Sequence, residues 1–113
     1  MIIYGLTTCS ACQKACAALA AEGVEVEFRD VRAEPLSKEE LGELIAEFGD
    51  RLVDRTTNDY RGLNTWLKNA EAEAQIAAQP KVMARPVIRD GGALYLGWNE
   101  EVENAVLGGR RSD

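Results

Sequence analysis

The first thirty residues place the tightest limit on what this chain can become. An apolar run, "MIIY", closes on Gly5, and the polar stretch "GLTT" follows it. From about Ser10 the sequence "SACQKACAALAAE" is rich in helix formers, with Gly23 as a stop. "VEVEFRDV", residues 24–31, then alternates, with Val24, Val26 and Phe28 on one side and Glu25, Glu27 and Arg29 on the other. That period of two belongs to a half-buried strand. A strand, a helix and a strand in so short a length predict two parallel strands joined by the helix.

The rest of the chain extends this unit. Pro35 and Leu36 precede Ser37, and Glu40 stands three residues on, a capping box at the start of a helix. Leu41, Leu44, Ile45 and Phe48 mark its apolar face, and Gly49 ends it. "DRLVDRTTNDYRGLN" has no clean period and reads as loop and short helical turns. From Thr65 to Gln79, "TWLKNAEAEAQIAAQ" reads as one helix, broken by Pro80. "RPVIRDGGALYLGW" reads as strand, Gly-Gly turn and strand, a β-hairpin. Asn99 can cap a last helix, "EEVENAVL", stopped by Gly108 and Gly109, and the tail "RRSD" reads as frayed. The order is β-α-β, a helical insertion at about residues 33–82, then β-β-α. This is an α/β chain with a thioredoxin-like fold, expected as one domain over residues 1–113.

Cys9, Cys12 and Cys16 are the only cysteines, in a chain without histidine. The apolar fraction of 46% is enough for a core of its own, so the sulfurs are free for chemistry rather than needed as staples. Cys9 stands where loop gives way to helix, and the free N–H groups of a first turn favour a thiolate there. Cys12, one turn on, points to the same side, so it can resolve a mixed disulfide formed on Cys9. Cys16 and Leu19 continue that stripe inward, and Cys16 reads as a buried packing residue. Zinc would need a carboxylate or a second chain, because there is neither a histidine nor a second Cys-x-x-Cys. A redox pair is the better reading.

A net charge of −6 argues against a partner that presents phosphates, so no direct nucleic-acid binding is expected. No apolar run is long enough for a membrane span, and no basic region followed by a long apolar stretch opens the chain. Both point to a cytoplasmic address. Trp66 and Trp98 read as packing residues, and the acidic run from Glu34 to Asp50 as a solvated helix face.

The opening "IIYGLTTCSACQKA", the segment "DRTTNDYRGL" and the ending "RPVIRDGGALYLGWNEEVE" together resemble the arsenate reductase/Spx family, over residues 1 to about 107. The resemblance implies a thiol-dependent oxidoreductase with Cys9 as nucleophile and Cys12 as an additional, resolving thiol. It implies no bound cofactor, with glutathione, glutaredoxin or thioredoxin as electron donor. Arg55 and Arg85 fall on oxyanion-binding arginines of the family, and a guanidinium fork suits a tetrahedral oxyanion. Without the resemblance, Arg55 could equally pair with Asp54 or Asp59. Pro86 falls on the proline that is cis in the family. Two features depart from the reductases: Gln13 stands where they carry an arginine, and "GWNEE" has none where they place a third. Cys-x-x-Cys, "GWNEEVE" and the position of Gly49 resemble the Spx-type regulators. These imply the alternative of a redox-sensing transcriptional regulator that binds the RNA polymerase α subunit.

Overall fold

The computed structural model describes residues 1–108; Gly109 and the tail "RRSD" lie outside the described residues. The chain forms two compact units, one from Met1–Asp30 with the segment from Arg85 onward, the other from Val31–Ala84. The second unit is the expected helical insertion, with bounds slightly wider than 33–82.

The first unit holds strand β1 (Ile2–Gly5), helix α1 (Ser10–Ala21), strand β2 (Glu27–Asp30), strands β3 (Val87–Asp90) and β4 (Ala93–Leu96), and a final helix (Glu100–Leu107). The sheet order is β2-β1-β3-β4, with β1 parallel to β2 and antiparallel to β3. Register places Ile3 beside Phe28 on one side and Ile88 on the other, and Ile88 beside Tyr95. Side chains alternate across a strand, so these four share a face. Ile3 and Ile88 bury themselves there with Ala15 and Leu19 of α1 and Val102, Val106 and Leu107 of the final helix. Trp98 packs against this core as expected. The hairpin turns at Gly91, whose φ of +61° suits glycine, and Asn99 Oδ1 accepts from Val102 N–H at 2.9 Å to cap the final helix.

β2 starts three residues later than the alternation predicts and ends one residue earlier. Its pairing begins at Ile2↔Glu27, and β1 offers no partner earlier. Val24 and Val26 are therefore loop residues, half-buried against the core without a ladder.

The second unit contains α2 (Lys38–Phe48), a 3-10 turn (Gly49–Leu52), α3 (Asn58–Arg61), α4 (Thr65–Lys68), α5 (Ala72–Ala78) and a second 3-10 turn (Pro80–Val82); the final helix of the first unit is α6. The capping box forms in full: Glu40 N–H donates to Ser37 Oγ at 3.1 Å, and Ser37 N–H to Glu40 Oε1 at 2.8 Å. Leu41, Leu44, Phe48, Leu52, Ile76, Val82 and Met83 are buried in this unit. The single helix expected over Thr65–Gln79 is instead two. Asn69 ends α4, its side-chain amide donating to Thr65 O, and α5 starts after Glu71. The buried Gln75 closes the break, its Nε2 donating to Leu67 O at 2.9 Å and Lys68 O at 3.3 Å. Of these two carbonyls, which a continuous helix would pair internally, Leu67 O also accepts from Ala70 N–H at 3.0 Å. Trp66, on α4, is 73% exposed rather than packed.

Candidate active site

Cys9 occupies the N-cap of α1 with extended backbone (φ −83°, ψ 121°) and without the tight side-chain cap that an oxygen-bearing residue makes. The loop leading to it is fastened at four points. Thr7 N–H donates to Asp30 Oδ2 at 3.2 Å, and Gln13 Nε2 donates to Thr7 O at 2.8 Å. Cys9 N–H reaches Leu6 O at 3.1 Å, and Gln13 N–H reaches Cys9 O at 3.0 Å. Gln13, the residue that departs from the reductase pattern, thus clasps the loop that leads to Cys9.

The two sulfurs have opposite acidities. Burial alone would raise the Cys9 thiol. The backbone N–H of Cys12, the Cys12 thiol, the Arg85 guanidinium and the backbone N–H of Ala11 outweigh it and hold Cys9 below its ordinary value. No acidic side chain occupies the first turn of α1 to oppose the anion. Cys12 is 1% exposed. Burial pushes its thiol up to about 12; the hydrogen bond to Cys9 and the charge there add to the rise, against the Leu6 N–H and the Arg85 charge. Of the two, Cys9 is therefore the more acidic thiol and Cys12 the weaker acid that donates to it.

Arg85 and Pro86 lead into β3, and the peptide bond between them is cis. Pro86 O accepts from Gly97 N–H at 2.7 Å, which ties this turn to the end of β4. Cys9, Cys12 and Arg85 are thus brought together within the first unit. Arg55 belongs to the second, on an exposed turn after Val53. Neither expected ion-pair partner takes a simple role there: Asp54 Oδ1 accepts from Thr56 N–H at 2.9 Å, and Asp59 pairs with Lys81 at 3.5 Å.

Cys16 does not follow the inward stripe to full burial. α1 buries Cys12, Ala15 and Leu19, which leaves Cys16 on the flank of that face, half-buried. It lines an apolar recess of about 190 Å³ with Leu6, Thr7, Cys12, Gln13 and Phe28. Burial still raises its thiol above the ordinary value.

Gly5 lies against the Cys12 sulfur at a position that no sequence period marks. A methyl group on its Cα would overlap the Cys12 sulfur. The bare backbone at the end of β1 is what lets that sulfur lie where it does. The only sequence signal is a glycine closing an apolar strand just before a cysteine loop. Among the described residues, no cluster of three or more histidine, cysteine, aspartate or glutamate side chains could hold a metal ion. No helix among them is long and apolar enough to cross a membrane.

Residues 4–106 match the sequence profile of the ArsC family. The chain belongs to the ArsC family. Among similar proteins, the global transcriptional regulator Spx 2 of Lactococcus lactis subsp. lactis is 28% identical, over 93% of this chain and 84% of that protein. The solved YFFB protein superposes with a TM-score of 0.84 at 29% identity, covering 94% of this chain and 97% of that one. The solution structure of an arsenate reductase (ArsC) related protein from Brucella melitensis gives 0.71 at 28% identity, with 92% and 91% covered. The thioredoxin-like fold read from the element order is that of these neighbours.

Proposed function

We propose that this ArsC-family chain is a thiol-dependent oxidoreductase, with Cys9 as nucleophile and Cys12 as resolving thiol. The observation that carries the reading is the adjacency of two sulfurs of opposite acidity, with the Arg85 guanidinium on the more acidic one. Cys9 thiolate attacks one sulfur of a substrate disulfide; that S–S bond breaks, and the leaving thiolate takes a proton from solvent. A Cys9–substrate mixed disulfide results. The Cys12 sulfur then attacks Cys9 Sγ, and its proton ends on the departing substrate thiolate. Two electrons have passed to substrate, and the chain holds a Cys9–Cys12 disulfide. Two glutathione thiols, or the dithiol of a glutaredoxin or thioredoxin, return the electrons.

Arg85 stabilises the Cys9 anion before attack and suits an oxyanionic substrate or product there. The role of Arg55 as a further anion-binding residue rests on the family resemblance. Gln13, spent on the Thr7 carbonyl, favours a disulfide over arsenate as substrate, because it brings a neutral amide where the reductases bring a cation. The reading places the protein in the reducing cytoplasm.

The Spx relative supports a second reading, a redox-sensing regulator that binds RNA polymerase and whose docking changes with the Cys9–Cys12 disulfide. Thiol counting on the native protein in a series of glutathione redox buffers, with Cys12→Ser alongside, tests the chemistry common to both. Reversible loss of two thiols in the wild type but not in the variant is expected. Stable glutathionylation of Cys9 in the wild type would remove Cys12 from the mechanism. Turnover of a glutathione mixed disulfide, set against capture of purified RNA polymerase α subunit, then separates enzyme from regulator.

A further inference from the structure

Leu6, Thr7, Thr8 and Cys9 form the β-turn that delivers Cys9 to α1, closed by Cys9 N–H on Leu6 O at 3.1 Å. That bond joins the first and last residues. The N–H and C=O of Thr7, at the second position, therefore have no partner inside the turn, and such groups are ordinarily left to water. Here side chains from two other elements take both. Asp30 Oδ2 accepts from Thr7 N–H at 3.2 Å, and Gln13 Nε2 donates to Thr7 O at 2.8 Å. Asp30 ends β2, in register with Gly5, and Gln13 stands one turn into α1. Gln13 also holds the central peptide of the turn in one of its two orientations. The flipped peptide would need a positive φ at Thr8, and no non-glycine residue among the described ones has one.

Both sulfurs depend on this turn. Leu6 N–H donates to the Cys12 sulfur, and Cys9 is the last residue of the turn. The N–H groups of Ala11 and Cys12 act on the Cys9 sulfur while the turn presents it to the start of α1. A displacement of Thr7 is thus a displacement of Cys9 from its donors. Asp30 brings two opposed effects to such a fastening. Its charge makes it a strong acceptor for an N–H, yet a carboxylate near a thiolate opposes the anion.

We propose that Asp30 and Gln13 are positioning residues: by taking the N–H and the C=O of Thr7, they hold Cys9 against the first turn of α1 in the geometry that its chemistry uses. Both act through the Thr7 peptide. The inference rests on the reading of Cys9 as nucleophile and adds to it the residues that set its place.

The test is the pH profile of iodoacetamide labelling, read at Cys9 by mass spectrometry, in wild type, Asp30→Ala, Asp30→Asn and Gln13→Leu. Each variant is first checked for wild-type circular dichroism and cooperative melting. Asp30→Ala and Gln13→Leu should each raise the midpoint by about half a unit, or about threefold in rate below it. Asp30→Asn keeps an acceptor without the charge and should stay at the wild-type midpoint or fall below it. Three results overturn the proposal. Either Asp30→Ala or Gln13→Leu leaves the midpoint unmoved, so that the fastening serves stability alone; both Asp30 variants lower it, so that Asp30 acts only as a charge; or Asp30→Asn rises as far as Asp30→Ala. A wild-type midpoint at the ordinary thiol value is a different failure, because it removes the activated nucleophile itself and leaves nothing to position.

Discussion

Replacing Gly5 by alanine isolates one contact of the active site. The new Cβ would overlap the Cys12 sulfur, touch Cys12 Cβ at 3.4 Å and lie 3.6 Å from Phe28 Cε2. Gly5 does not have positive φ, so the backbone accepts alanine and the cost is packing alone. Inserting a methyl group into a filled site costs about 1–3 kcal/mol. Loss of glycine's freedom in the unfolded chain offsets about 0.4–1 kcal/mol of that. A net loss of roughly 1–2 kcal/mol follows. The assay is urea unfolding of wild type, Gly5→Ala, Cys12→Ala and the double variant. In the Cys12→Ala background the overlapping sulfur is gone and only ordinary contacts remain, so Gly5→Ala should cost nearly nothing. The coupling between the two sites should thus reach about 1 kcal/mol or more. Gly5→Ala alone should also move the pH midpoint of Cys9 labelling upward, as the Cys12 donor is displaced. Equal cost in both backgrounds, or no cost in either, would refute the steric argument.

Three further outcomes are expected. Iodoacetamide labelling of Cys9 should show a midpoint below the ordinary thiol value, and Arg85→Ala should raise it; an unmoved midpoint would remove the guanidinium from the site. Folding raises the Cys12 thiol to about 12, so the stability it contributes is fully present below the unfolded thiol value of about 8.5 and is lost as pH climbs toward 12. Alkaline denaturation should therefore be shallower in Cys12→Ala than in wild type. Gln75→Leu should lower stability by about 1–3 kcal/mol, because the buried side-chain donor to Leu67 O and Lys68 O is lost and only Leu67 O keeps a second donor, Ala70 N–H, and amide exchange should show α4 loosened.

Elements defined by local chemistry were legible in the sequence. The Ser37/Glu40 box, the Gly-Gly hairpin and the Asn99 cap each satisfy backbone groups within a few residues, so their pattern carries its own explanation. Cys9 and Cys12 were legible for the same reason, since an N-cap and the turn after it are local. What failed depended on distant partners. Val24 and Val26 alternate correctly, yet a strand needs a neighbour, and β1 is too short to supply one. The Thr65–Gln79 helix breaks because Gln75 reaches back to carbonyls seven and eight residues earlier. Cys16 lies on the flank of the buried face of α1, and Trp66 points away from a turn whose inner side is already provided for. Gly5 matters only because a sulfur seven positions later folds back against it.

The central place of β1 has a consequence for the chain as it is made. Residues 2–5 pair on one side with residues 27–30, soon after synthesis, but on the other side with residues 87–89. The loop that carries Cys9 springs from this strand, and Arg85 arrives with the late one. Residues 5 to 89 must therefore have left the ribosome before Cys9 meets its guanidinium, and such long-range pairing forms slowly. During that interval Cys9 lacks part of what makes it acidic. The contacts from Ala11 and Cys12 come with α1 itself, and the share that Arg85 adds to the acidity of Cys9 comes only with the last strands of the sheet.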